Sequence, residues 1–200
     1  RFRFPKSQSN MRAIEIISEG EVIIEDSIFS QTAGRIRQNS YCGVLANYLT
    51  DVDAEEGPYL IQTKANSVTI TNITVTYLDS NDLYGAIKLT GNGAHIITRC
   101  MFRNTNSTGA IYYCPVTDSP DDSLNISQCT FRQCLGSNGC FYVKCQHSIS
   151  ITSCVFEGCF DMDSMGFVDL NLNASTLTFD SNMIINNTFS HFVSITASEV

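Results

Sequence analysis

One frame constrains this chain more than any other feature. Leu-x-Ile-x-x-Cys-x-Phe-x-x-Cys spans Leu124 to Cys134, and Ile-x-Ile-x-x-Cys-x-Phe-x-x-Cys spans Ile149 to Cys159. The same frame fits His95 to Thr105, Val68 to Leu78, Leu177 to Asn187 and Val22 to Thr32. One apolar column then reads Ile24, Ile70, Ile97, Ile126, Ile151, Phe179, and a second reads Phe29, Val75, Phe102, Phe131, Phe156, Ile184. A further element follows each copy: Gly43-Val44-Leu45, Gly85-Ala86-Ile87, Gly109-Ala110-Ile111, Gly139-Cys140-Phe141, Gly166-Phe167-Val168, and His191-Phe192-Val193 in the glycine slot of the last.

Within each piece apolar residues alternate, as Ile149 does with Ile151 and Cys154 with Phe156, which is the period of a strand. Between Ile151 and Cys154 the alternation skips, at the same place in every copy. A bend there keeps both residues inward, so a bend at constant phase means a corner. Three short strands and three corners per repeat predict an all-β, right-handed parallel β-helix of about six coils, each of roughly 25–30 residues. A β-sandwich also has short alternating strands, but it has no need of one corner phase repeated along the chain. Residues 1–19 read as a lead-in or partial coil, and 20–200 as one solenoid segment of a longer chain. The insertions TDVDAEEGPY after Leu49 and CPVTDSPDDS after Tyr113 follow the third strand, so loops are expected to project from that side.

Composition narrows the partners. Lys+Arg 12 against Asp+Glu 20 gives a net charge of −8, which disfavours nucleic acid and anionic lipid. No uncharged apolar run approaches the ~20 residues of a membrane-spanning helix. Candidate N-glycosylation sequons begin at Asn72, Asn106, Asn125, Asn173 and Asn186, only a weak excess over chance in a chain this rich in Asn, Ser and Thr.

The repeated pairing of a Phe-x-x-Asn element with a Gly-Gly-Ala-Ile element resembles the chlamydial polymorphic membrane proteins and similar repeat-rich surface proteins of parasitic protists. Here GAIK and GAIY resemble the second element. Phe102-Arg-Asn-Thr, Phe131-Arg-Gln-Cys, Phe156-Glu-Gly-Cys and Ile184-Ile-Asn-Asn resemble the first. The sequence departs from the pattern in the Asn slot, which holds Thr105, Cys134 and Cys159 and matches only at Asn187. The resemblance, over about residues 20–198, implies a surface-exposed, non-enzymatic, adhesin-like stalk.

The 9 cysteines are the tempting chemistry. Cys100, Cys129 and Cys154 share one inward column, and Cys134 and Cys159 share another, so the fold itself stacks them as a core cysteine ladder. Zinc needs a tetrahedron, and the two columns lie on either side of an inward Phe. Adjacent parallel Cβ atoms would lie ~4.8 Å apart, too far for an unstrained bridge, so thiols are expected, with any cystine involving Cys114, Cys140 or Cys145.

A β-helical polysaccharide lyase or glycoside hydrolase is the alternative. It needs carboxylates about 5–10 Å apart, or calcium with a basic residue. The acids gather instead in predicted corners: Asp51, Asp53, Glu55 and Glu56, then Asp118, Asp121 and Asp122, then Asp161 and Asp163. DVDAEEG fits a calcium loop poorly, because its glycine comes one residue late. Tyr112 and Tyr142 have outward parity and are candidate sugar platforms. Thr69, Thr71, Thr74 and Thr76 also point outward, but the neighbouring coils read as not repeating them, which leaves a threonine lattice unsupported.

The expectation is therefore an extracellular or cell-surface segment without cofactor or metal, a stalk that binds protein or glycan. The two clusters at 51–56 and 118–122 are its candidate binding loops. Flanking coils of the same chain, or self-association, are expected to cover its ends.

Overall fold

A computed structural model describes residues 2–4, 14–31, 59–78, 85–107, 109–115, 119, 121–136, 141–145, 148–161, 168–172, 176–188 and 193–197. Among these there is no helix, and all paired strands run parallel, stacked as a β-solenoid.

Middle strands β1 (Phe2–Phe4), β3 (Ile28–Gln31), β5 (Thr74–Leu78), β8 (Met101–Ser107), β11 (Thr130–Arg132), β15 (Val155–Glu157) and β19 (Met183–Ile185) stack in that order. Their register superposes Phe29, Val75, Phe102, Phe131, Phe156 and Ile184. First strands are supplied by the C-terminal halves of β2 (Ile14–Glu25) and β4 (Tyr59–Thr71), then by β7 (Ala94–Thr98), β10 (Ser123–Ser127), β14 (Ser148–Thr152) and β18 (Leu177–Asp180). Third strands are the N-terminal halves of β2 and β4, then β6 (Gly85–Leu89), β9 (Gly109–Tyr113), β13 (Phe141–Cys145), β17 (Val168–Leu172) and β20 (Val193–Ala197). Short strands β12 (Leu135–Gly136) and β16 (Phe160–Asp161) extend the second corner.

The corner phase read from the skipped alternation has a backbone cause. Asp26, Asn72, Arg99, Gln128, Ser153 and Ser181 each hold a φ between 50° and 55°, the left-handed conformation that turns the chain. Asn104, Gln133, Gly158 and Asn186 turn the second corner with φ between 49° and 60°. From Asp26 to Ser153 the first-corner residues keep their place in the ladder: Arg99 N–H donates to Ser127 O at 3.1 Å, and Gln128 N–H to Thr152 O at 3.1 Å.

The expected third corner is absent from the first two long strands. β2 carries a register shift between Ser18 and Glu21, and β4 passes from third-strand to first-strand duty as one continuous strand. β4 has no glycine or proline to break it. Between β6 and β7 the Gly91-Asn92-Gly93 turn does the breaking. A Cβ on Gly91 would collide with the Ala65 carbonyl, and Gly93 has φ +93° beside the Asn66 carbonyl.

Burial follows the columns. Phe102, Phe131 and Phe156 are fully buried and stack ring on ring, with centroids 4.8 and 5.3 Å apart. Burying each such side chain is worth about 1.5–3 kcal/mol. Phe179 of β18 covers Phe156 at 6.4 Å, while Ile184, one rung on, is 47% exposed. Leu177 and Phe179 are only half-buried, so the apolar column stays open at this end.

Candidate functional site

The two acidic loop clusters fare differently. Asp51, Asp53, Glu55, Glu56 and Asp118 lie outside the described residues, and Asp121 is exposed. Asp122 is 1% exposed. Its Oδ1 accepts from Gly93 N–H and its Oδ2 from Ser119 N–H at 3.0 Å, so it ties the 114–122 connection to the glycine turn of the preceding coil. A carboxylate held by two backbone amides positions chain. Asp122 is therefore not part of an exposed binding loop.

Beside it sits a residue that sequence reasoning passed over. His95 occupies an inward column whose other members are Val22, Val68, Leu124, Ile149 and Leu177. Its Nε2 is 2.8 Å from Gly91 O, so that nitrogen carries the proton, and Nδ1 is buried with no hydrogen-bond partner. The ring packs edge-on to Tyr113 at 5.1 Å. Burial pushes the His95 pKa below the usual imidazole range, opposed by the Gly91 hydrogen bond and the Asp122 charge.

The cysteine columns are in the core. Cys100, Cys129 and Cys154 are buried, as are Cys134 and Cys159, and none of these five, nor half-buried Cys114, is disulfide-bonded. Their thiols serve the backbone. Cys129 Sγ donates to Ile97 O at 3.6 Å, and Cys159 Sγ to Phe131 O at 3.4 Å. Cys100 N–H donates to Cys129 Sγ at 3.5 Å. Neighbouring thiols and burial push Cys129 well above the usual thiol range, and the Cys134 thiol with burial does the same to Cys159, which suits an inert buried thiol. Among the described residues, no three of His, Cys, Asp and Glu converge as a metal would require. Cys140 lies outside the described residues, and Cys145 is described only as a backbone position in β13.

Tyr112 has the predicted outward parity, stacked in register on Lys88, yet it is 2% exposed. Lys88 Nζ lies 5.3 Å from its ring centroid and 5.6 Å from that of Tyr59, a cation held over two aromatic faces. Tyr112 is therefore no sugar platform. The Tyr142 side chain lies outside the described residues.

The expectation that neighbouring coils do not repeat the outward threonines holds for Thr69, Thr74 and Thr76, which meet Ile96, Met101 and Arg103 in the next coil, and fails at Thr71. Thr71, Thr98, Ser127 and Thr152 are direct register neighbours in successive coils. Two residues upstream the column reads Thr69, Ile96, Asn125, Ser150, Thr178, and two further upstream Ser123 sits between Ala94 and Ser148. None of these residues is buried. Ser127 Oγ donates to Thr98 Oγ1 at 3.1 Å, linking hydroxyls across coils. The signal was in the sequence, as SVTIT, SLNIS and SISIT, but only the register aligns it.

Of the sequons, Asn72 and Asn186 are exposed at corners, and Asn125 is exposed on the hydroxyl face. Asn106 lies in β8 with its side chain outside the described residues, as is all of Asn173. No protein-family model, curated protein or solved structure matches this chain.

Proposed function

We propose that this chain is a non-enzymatic, rigid β-helical spacer at a cell surface or outside the cell, which extends a larger protein and presents a binding face. The observation that carries the reading is the in-register parallel stack of the middle strands, from Phe29 to Ile184. Groups on rigid strands are where a catalytic constellation would have to be held, within about 0.5 Å. Here the outward first-strand positions from β4 to β14 hold hydroxyls, an amide and aliphatic groups, with isolated carboxylates only on β2 and β18, at Glu21, Glu25 and Asp180, and the ion pair of Arg132 with Glu157, Nε to Oε2 at 3.2 Å, is half exposed on the middle strands. The adhesin-like role and its likeness to the polymorphic membrane proteins rest on the repeated elements, with Gly85 and Gly109 in register at the start of β6 and β9.

On this reading N-glycans sit on the exposed corner residues Asn72 and Asn186. Half-buried Phe179 and exposed Ile184 await a further parallel coil, from the same chain or a second copy. The competing function is polysaccharide cleavage. The test is an activity screen on neutral and acidic glycans with and without calcium, repeated with Asp51, Asp53 and Asp121 changed to Asn and Asp122 left intact to hold its corner. No turnover is expected; cleavage that vanishes in the neutralised variant would replace the spacer by an enzyme.

A further inference from the structure

We propose that the outward face of the first strands is a binding surface for a neutral, extended β-linked polysaccharide running along the solenoid axis. The inference rests on the spacer reading and names its partner and place. Four features of the face lead to it.

Between Ser67 and Thr178 the outward strand positions themselves carry no charge, on a chain of net charge −8; charge enters only at the margins, where the corner residue Arg99 donates to Thr71 Oγ1 at 3.1 Å and Glu25 and Asp180 end the row of Thr71, Thr98, Ser127 and Thr152. An ionic partner meets no row of counter-charges there, only one cation and two carboxylates at the margins, whereas a neutral one is bound over the middle coils without desolvating an ion. Hydroxyls dominate the face, and each is both donor and acceptor. Sugar hydroxyls share that duality, so a pair forms in either direction. The face also offers little to a protein: its exposed apolar side chains are the scattered Ile96, 38% exposed, and Ile23 at the edge, with no aromatic anchor for a hot spot.

The fourth feature is spacing. Thr71, Thr98, Ser127 and Thr152 recur once per coil, at the ~4.8 Å of neighbouring strands. That step is close to the advance per sugar of an extended β-linked hexose chain. Successive sugars thus meet equivalent hydroxyls on successive coils, and weak single contacts add along the row. Asn125 stands in the middle of this face, so a glycan on it would block the site. The corner sequons Asn72 and Asn186 leave it open.

The experiment uses unglycosylated protein and retention on insoluble β-glucan and chitin, against sulfated and carboxylated glycans. Wild type is expected to bind a neutral glycan, unchanged by salt up to about 0.5 M, where exposed charges are screened. Ser127→Arg with Ser150→Arg should weaken retention at least about tenfold by breaking several contacts in the row. Thr130→Arg, outward on the middle strands, should leave it within about twofold, and thermal melts should show all variants folded. Absence of retention on every neutral glycan overturns the proposal, as does salt-sensitive binding, or adsorption to ice without glycan binding. Retention that survives the paired Arg variant but is lost on replacing 114–121 overturns this face while leaving the spacer reading in place.

Discussion

The side chain of Asn182 grips the backbone on both sides of the corner at Cys154: its Oδ1 accepts from Cys154 N–H at 2.9 Å and its Nδ2 donates to Ile151 O at 2.8 Å. Asn187 repeats the arrangement at the second corner, with Cys159 N–H and Phe156 O. Coil by coil, the cysteines above them occupy the same place and aim a weaker S–H at the equivalent carbonyl, as Cys154 Sγ does at Ile126 O, 3.7 Å away. The thiols thus stand in for asparagine amides, which accounts for Cys134 and Cys159 in the slot that Asn187 fills in the last coil.

That equivalence fixes the first prediction. Cys154→Asn should lie within about 1 kcal/mol of wild type, because the amide can donate to Ile126 O and accept from Cys129 N–H. Cys154→Ala leaves a void and an unmet carbonyl, and should cost about 1–3 kcal/mol. Urea unfolding decides it: if Ala is tolerated better than Asn, the thiol is only filling space.

The second prediction separates the two faces of one strand. Phe131 is stacked between Phe102 and Phe156, so Phe131→Ala should cost about 3–5 kcal/mol. Arg132, the next residue, points outward to Glu157 across a half-exposed pair, and Arg132→Ala should cost less than about 1 kcal/mol. Chemical denaturation showing equal losses at both positions would contradict the strand phase.

Periodicity alone revealed the inward columns and the corner phase, because both are local: a skipped alternation at Ser153 or Gln128 demands one left-handed residue wherever it occurs. What it could not reveal depends on residues far apart in sequence. Asp122 looked like a solvated turn acid until the amide of Gly93, 29 residues away, was placed on its carboxylate. Tyr112 shows the same limit, since parity gives the side of the sheet and says nothing of what covers it. The hydroxyl columns required the register between coils before Thr71, Thr98, Ser127 and Thr152 became one line.

The last prediction concerns acid. His95 is neutral in the folded chain, with its pKa held below the ordinary value of about 6.5 by burial. The unfolded chain therefore takes up a proton that the folded chain resists. Stability is fully present above about pH 6.5 and declines as pH falls from there toward the folded-state pKa. A charged imidazole would also add a second N–H at Nδ1, where the fold offers no acceptor. His95→Leu restores the aliphatic character of the column shared with Leu124 and Ile149 and removes the titration. Comparing urea midpoints at about pH 7.5 and pH 5.5, above most carboxylate titration, isolates the imidazole. Wild type should lose stability across that interval while His95→Leu holds nearly constant. Parallel losses in both proteins would mean that another group drives the change and that His95 is accommodated in its charged form.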